Sequence, residues 1–216
     1  MSFVKDPALP LFDDLEDGIA LPIEDGQLHY IPSAFSETEA DALMRQCLTE
    51  LPWRQDRISI AGKSILIPRL QCWLGDPEAH YSYSNLTLHP QPWPEFLVEI
   101  KARIETLAAH SFNSALANLY RDGSDSVDWH SDDEAELGRT PIIASLSLGT
   151  SRVFELKHRY KKQLSTLKIT LKHGSVLIMK GGTQQYWHHR IAKLKGLSEP
   201  RINFTFRHIL HKKLER

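Results

Sequence analysis

Cysteine is scarce: Cys47 and Cys72 are the only two in 216 residues, and they stand far apart. That excludes a disulfide framework and a cysteine-based zinc motif, and it points to a reducing compartment. Long apolar runs are missing as well, none approaching the ~18 residues that a membrane-spanning helix needs. Positive charge is nearly absent from the N-terminus, where Asp6, Asp13, Asp14, Glu16 and Asp17 outnumber Lys5. Such a start does not resemble a secretory signal. The expected location is cytoplasmic and nucleoid-associated in a bacterium, or nuclear and cytoplasmic in a eukaryote. Internal repeats and low-complexity tracts are also lacking. What is there is ordinary globular material, 41% hydrophobic and 25% charged, enough for one substantial domain and expected to act as a monomer away from membranes.

Charge is unevenly divided. From Arg152 to Arg216 there are 16 Lys/Arg against Glu155, Glu199 and Glu215, whereas the remaining 151 residues carry 10 Lys/Arg and 24 Asp/Glu. The split suggests an anionic partner for the basic part, and the acidic N-terminal arm, residues 1–27, should not face it. The alternative is a folded surface that mixes both halves and neutralises them.

Residues 28–216 read as a single domain, with a short strand around Leu28–Ile31 where the arm ends. Ser36 and Glu39 form a capping box, and Ala40, Leu43, Met44, Cys47, Leu48 and Leu51 follow at helical spacing. From Trp53 the pattern favours strands. Ile58–Ile60 and Ile65–Ile67 flank Ala61-Gly62-Lys63-Ser64, which predicts a hairpin. A strand over Pro68–Trp73 is broken by Gly75-Asp76-Pro77. Tyr81 and Tyr83 then share one strand face, either as core or as a platform for a ligand. Pro94 suits the first position of a helix whose buried stripe is Phe96, Leu97, Ile100, Ile104 and Leu107, ending near His110. Strands follow at Ser114–Tyr120, Ile142–Leu148, Ser151–Leu156, Leu167–Leu171, Ser175–Met179 and Arg201–Ile209. Many short strands after two helices predict an α+β fold built on an antiparallel double-sheet jelly roll with the helices packed outside.

Two stretches carry chemistry. In Asp128-Trp129-His130-Ser131-Asp132-Asp133-Glu134, extended backbone puts His130 and Asp132 on one face. One imidazole and one carboxylate are two thirds of the facial triad that holds Fe(II) and leaves positions open for a co-substrate and O2. A solvated acidic loop is the competing reading. The third ligand should come late in the chain, where His188 and His189 point to opposite faces of an extended segment and pattern alone does not choose between them. In Arg201-Ile202-Asn203-Phe204-Thr205-Phe206-Arg207 the polar residues occupy one face and the apolar ones the other. The end arginines are about 20 Å apart at Cα and leave a gap of about 6 Å once both reach inward, a fit for a short dicarboxylate held at each end. An exposed strand face with two surface arginines is the plainer alternative.

Taken in order, these segments make the sequence similar to the AlkB family of Fe(II)- and 2-oxoglutarate-dependent nucleic-acid dealkylases, in the branch of the DNA- and RNA-repair homologues. The segments that carry the resemblance are Asn118–Gly123, Asp128–Glu134, Pro141–Gly149, His173–Met179, Trp187–Arg190 and Pro200–Arg207, within a similarity running from about Trp53 to Ile209. The resemblance implies a double-stranded β-helix core over about 112–210 and an N-terminal substrate-binding lid over about 53–90. It makes His130, Asp132 and His189 the metal ligands; His189 is chosen over His188 by its distance from Trp187 and Arg201. It places Arg201 on the distal carboxylate of 2-oxoglutarate, with Asn118, Tyr120 and Arg207 around the other end and Asn203 and Thr205 lining the same site. Tyr81 and Tyr83 would cover a flipped base, Glu134 would lie beside its edge, and Arg69 would belong to the lid.

The implied reaction is oxidative demethylation of N1-methyladenine- or N3-methylcytosine-type bases in DNA or RNA, with Fe(II), 2-oxoglutarate and O2, releasing formaldehyde, succinate and CO2. A related oxygenase acting on a protein or small molecule, and an inactive nucleic-acid-binding homologue, are the rivals. One departure matters. The duplex-preferring homologue of this branch carries a bulky aromatic just before the hairpin glycine, and here that residue is Ala61. A methyl group cannot fill a vacated base site, so single-stranded methylated DNA or RNA is the expected substrate.

Overall fold

Period-two alternation decides the architecture. The computed structural model describes residues 18–60, 62–79, 81–83 and 86–210. Its elements are β1 (Ile19–Leu21), β2 (Gln27–Ile31), α1 (Glu37–Glu50), β3 (Arg57–Ile60), β4 (Lys63–Leu66), β5 (Leu70–Gly75), β6 (Tyr81–Tyr83), β7 (Leu86–Leu88) and α2 (Glu95–Ala108). They continue as β8 (Ser114–Tyr120), β9 (Val127–His130), β10 (Ile143–Gly149), β11 (Arg152–His158), β12 (Leu167–Leu171), β13 (Ser175–Lys180), the single turn α3 (Thr183–Tyr186), β14 (Trp187–Ile191) and β15 (Arg201–Arg207). A larger sheet runs β1-β2-β13-β10-β15-β8-β5, and a smaller one runs β12-β11-β14-β9. The pairings within both sheets are antiparallel.

Ala144, Leu146 and Leu148 of β10, Ile202, Phe204 and Phe206 of β15, and Ala115, Ala117 and Leu119 of β8 all point to one face of the larger sheet. There they pack with Ala40, Leu43, Met44 and Cys47 of α1 and Leu97 and Ile104 of α2. Each fully buried aromatic or aliphatic side chain of this layer contributes ~1.5–3 kcal/mol. The opposite face meets the smaller sheet. At one end that interior is apolar, with Tyr30, Ile143, Leu177 and Met179 against Phe154, Leu156, Ile169 and Trp187. At the other end it is polar, and there the pocket lies. This is the double-sheet jelly roll with outer helices that the strand pattern predicts.

Local signals are met closely. Ser36 caps α1 in a reciprocal box: its hydroxyl accepts from Glu39 N–H at 3.3 Å, and the Glu39 carboxylate accepts from Ser36 N–H at 2.8 Å. Pro94 lies one residue outside α2, as its cap, because its ψ of 145° is still extended. The helix ends at Ala109, in the left-handed region at φ 49°, one residue before His110.

Two boundaries move. Ile19–Leu21, assigned from sequence to the acidic arm, is already an edge strand of the larger sheet, paired to β2. Its three residues are too few, and too close to acidic neighbours, to stand out as a strand. Residues 1–17, the rest of the arm, lie outside the described residues. The 53–90 stretch is not all lid: β5 joins the larger sheet beside β8, and Cys72, Trp73 and Leu74 are buried there.

Candidate active site

Strand β15 is buried on both faces over its whole length. Its apolar face fills the helix layer, so Arg201, Asn203, Thr205 and Arg207 project between the sheets. Antiparallel register sets their neighbours: Tyr120 is opposite Arg201, Asn118 opposite Asn203, Ser147 opposite Asn203 from the other side, and Ser145 opposite Thr205. All of these side chains except Ser147 line a pocket with His130, Asp132, His189 and Arg69, which spans about 490 Å³ of unfilled space, part of it open to solvent.

The metal-type donors gather at one end. His130 on β9 is opposite His189 on β14, and Asp132 follows two residues after His130. One donor atom from each lies within 4.8 Å of the other two. Asp132 and His189 are buried and His130 is half-buried. Two imidazoles and one carboxylate on one side suit a facial triad, with the opposite side left for ligands. His188 takes no part: strand alternation sends it to the outer face of the smaller sheet, next to Lys157. The geometry groups His189, and not His188, with His130 and Asp132.

Electrostatics prepare the donors. Burial pushes the His189 imidazolium down to about 3, helped by nearby His130, and burial also lowers the His130 pKa. Both rings are neutral at pH 7, so a metal need not displace their protons. Burial alone would raise the Asp132 pKa, but Arg207 and the two histidines outweigh it and hold the carboxyl at about 2. Asp132 is further fixed by its own N–H, which donates to Gln184 Oε1 at 3.0 Å.

The two arginines of β15 differ. Arg207 donates from Nη2 to Asp132 Oδ1 at 2.8 Å. Arg201 lies at 1% exposure over the Tyr120 ring, 5.3 Å from its centroid, and its Nη2 donates to Ser147 Oγ at 2.9 Å. Its Nε and Nη1 are buried without a hydrogen-bond partner, and no carboxylate pairs with it among the described residues. Burial lowers its pKa to about 10, so it stays charged at pH 7. A buried, charged guanidinium with hydroxyl and ring neighbours but no carboxylate is costly unless an anion completes it. The Arg201 environment therefore fits the carboxylate of a co-substrate. Arg207, expected around the other end of the co-substrate, is in addition engaged with the metal-side aspartate.

Asn118 Oδ1 accepts from Arg69 Nε at 2.8 Å, and Arg69 Nη1 also donates to the Ser126 carbonyl at 3.3 Å. Arg69 is thus anchored inside the pocket wall at 6% exposure. Asn203 Nδ2 donates to Ser145 Oγ and to the Leu146 carbonyl, and Thr205 Oγ1 donates to Asn203 Oδ1. Glu134 is half-buried at the start of the 3-10 turn Ala135–Leu137. The backbone of Tyr81–Tyr83 forms β6, while the side chains of Tyr81 and Tyr83, and all of Ala61, lie outside the described residues.

Sequence reasoning missed Ser145, Ser147, Gln184 and Arg152. The two serines had a signal: polar residues two apart in an otherwise apolar buried strand. Gln184 had none, because α3 is a single turn. Arg152, at 2% exposure, donates to the carbonyls of Asp122, Asp125 and Ala192 and lies 5.7 Å from the Tyr120 ring centroid.

The family model described as the 2OG-Fe(II) oxygenase superfamily matches residues 27–207. The chain is 46% identical over 177 residues to alpha-ketoglutarate-dependent dioxygenase alkB homolog 3 of Bos taurus, covering 78% of this chain and 61% of that protein. It is 44% identical over 184 residues to the Homo sapiens protein of the same name, covering 82% of this chain and 64% of that one. To DNA oxidative demethylase ALKBH2 of Homo sapiens it is 34% identical, over 82% of this chain and 71% of that protein. The chain thus spans somewhat less than two thirds of the length of the alkB homolog 3 proteins. The solved structure of OsALKBH1 superposes with a TM-score of 0.64 at 18% identity, covering 88% of this chain and all of that one, a likeness of fold.

Proposed function

Because the chain belongs to the AlkB family within the 2OG-Fe(II) oxygenase superfamily, we propose that it removes methyl groups oxidatively from the ring nitrogens of alkylated bases in DNA or RNA. The observation that carries this is the pairing of a three-donor cluster, His130, Asp132 and His189, with a buried arginine that lacks an anion, Arg201, in one pocket. Neither feature serves stability by itself. Together they suit a metal and a dicarboxylate, and the names of the relatives point to alkylated DNA as the substrate class.

An N-methyl group resists hydrolysis, so its removal requires an oxidant. Fe(II), held by His130, Asp132 and His189, would supply that oxidation with 2-oxoglutarate and O2, one oxygen atom going to the methyl carbon and the other to succinate with loss of CO2. The resulting N-hydroxymethyl group releases formaldehyde and the free ring nitrogen. Within this scheme Arg201 takes the distal carboxylate of 2-oxoglutarate, with Tyr120 under it and Ser147 fixing one Nη. Arg207 holds Asp132 ionised and oriented. Asn118, Asn203 and Thr205 form the polar wall along the co-substrate, and Arg69 holds Asn118 in place. A base must leave its stack to reach the pocket. Tyr81, Tyr83 and Glu134 are assigned to that base. All three metal-type donors and both arginines come from one chain, which supports a monomeric enzyme. No helix among the described residues is long and apolar enough to cross a membrane.

Single-stranded substrate is the proposed preference. The β3–β4 hairpin carries exposed Ile65 and Leu66 for contact, but the residue before Gly62 is Ala61, too small to replace an extruded base. A single strand does not need the wedge, since little pairing or stacking has to be broken. The test is repair of one N1-methyladenine oligonucleotide, alone and annealed, at matched salt. Faster repair of the single strand is expected, with Ala61→Phe shifting the ratio toward duplex. Equal or faster repair of the annealed form by the wild type would sink the preference.

A further inference from the structure

Strand β9 departs from regular pairing where it matters most. His130 is opposite His189 and Val127 opposite Ile191, so three steps on β9 match two on β14. The extra residue is a β-bulge, and it lets Val127 and His130 both line the pocket, where strict alternation would send them to opposite faces. A bulge leaves backbone groups without ladder partners, and here they are taken up locally. The Asp128 carbonyl is 2.7 Å from His130 Nδ1, and the Asp128 carboxylate accepts from Trp129 N–H at 2.8 Å. A carbonyl oxygen only accepts, so the neutral His130 ring carries its proton on Nδ1. Its Nε2 then presents a lone pair toward Asp132, whose Oδ1 is 3.9 Å away.

The same bulge throws Trp129 onto the outer face of the smaller sheet. Lys157 of β11 places Nζ 4.1 Å from the indole centroid, and Arg190 of β14 places Cζ at 4.4 Å. Arg190 is held in turn by Glu155 at 2.5 Å. Trp129 therefore ties β9, β14 and β11 together directly behind the donors: it precedes His130, and Arg190 follows His189. With two cations already over the ring, it is poorly available as a stacking platform for a base.

We propose that Trp129, clasped by Lys157 and Arg190, is a positioning residue that holds the bulge, keeps the Asp128 carbonyl on His130 Nδ1 and so aims Nε2 at the metal. The inference rests on the facial-triad reading above. Partners of this kind behind metal-bound histidines typically change metal affinity by 10–100-fold when removed, an order-of-magnitude expectation.

Two readouts test it. Long-range 1H–15N NMR of the metal-free protein at pH 7.5 reports which His130 nitrogen is protonated, and anaerobic Co(II) titration by visible absorption reports affinity. Wild type should show the Nδ1–H form. Trp129→Leu and Arg190→Gln should lose that single form and bind Co(II) ~10–100-fold more weakly. Trp129→Phe, which keeps a ring for the cations, should recover most of both. Lys168→Gln, which removes a 3.8 Å contact to Glu155 but none to Trp129, should match wild type. If Trp129→Leu does not fold, Arg190→Gln, at a side chain one third exposed, decides alone. An unchanged His130 tautomer and Co(II) affinity in the folded variants would overturn the proposal, as would a Trp129→Phe protein no better than Trp129→Leu. Failure of wild type to bind Co(II) would instead remove the triad reading, while the tautomer comparison would still decide the role of Trp129.

Discussion

Arg201 and Arg207 project from the same face of β15, six residues apart, at 1% and 4% exposure, yet their charges are met differently. At the Arg207 end the protein supplies its own anion, Asp132, and the pair is part of the donor cluster. At the Arg201 end it supplies a hydroxyl from Ser147 and the ring of Tyr120, but no carboxylate among the described residues. The difference is between a charge neutralised inside the donor cluster and a charge that the described residues leave without an anion. A buried ion pair contributes little net stability, but losing one partner costs a great deal; a buried cation with no partner is a standing cost that only binding repays.

That contrast can be broken from either end. The largest effect is expected at Asp132. Asp132→Ala removes a donor and strands Arg207 without its carboxylate, so turnover should vanish and urea unfolding should show a loss of ~3–5 kcal/mol. A fully stable variant would mean that Arg207 does not depend on this pair. Next, Arg201→Met should raise the 2-oxoglutarate requirement by about 10- to 150-fold, the equivalent of losing ~1.5–3 kcal/mol of charge-assisted bonding. The unliganded Arg201→Met protein should be no less stable than wild type, whereas Arg207→Met should be less stable because it leaves Asp132 buried alone. Equal destabilisation by the two changes would erase the distinction.

A ligand-binding experiment sharpens the comparison. With Co(II) present, 2-oxoglutarate at 100 times its wild-type dissociation constant should stabilise wild type by ~2.7 kcal/mol, and the same concentration should stabilise Arg201→Met by only ~0.3–1.4 kcal/mol in a thermal scan. The smallest effect belongs to the outer face of β14. His189→Ala should abolish turnover, while His188→Ala should keep it and change stability by no more than ~0.5 kcal/mol. A dead His188→Ala protein would reopen the choice of third donor.

Much of this was legible in the chain because it is written in period two. The alternation of Arg201–Arg207 marked both the helix-facing side of β15 and the pocket wall, and the strands Ser114–Tyr120 and Leu167–Leu171 have the bounds that the pattern gives. His130 and Asp132 were readable as a same-face pair, although the route is less regular than alternation implies: His130 ends β9, Asp132 lies past it, and the bulge at Asp128–Trp129 re-aims the ring. A bulge depends on pairing with a distant strand, so nothing local announces it. The same limit hid the Arg207–Asp132 pair, which joins residues 75 apart in sequence, from an argument that used strand spacing alone. Arg69 was assigned to a lid from likeness; its bond to Asn118 crosses between β8 and the turn before β5, which no sequence period records.

The central claim is that this pocket couples a dicarboxylate at Arg201 to oxidation of an N-methyl group at the His130, Asp132 and His189 end. The most direct measurement follows formaldehyde and succinate released from a single-stranded N1-methyladenine oligonucleotide by wild type and Arg201→Met, with Fe(II), across a range of 2-oxoglutarate concentrations. The account predicts equal amounts of the two products, no formaldehyde without 2-oxoglutarate, and a concentration curve displaced ~10- to 150-fold in the variant. Formaldehyde release independent of 2-oxoglutarate, or superimposable curves for the two folded proteins, would contradict it.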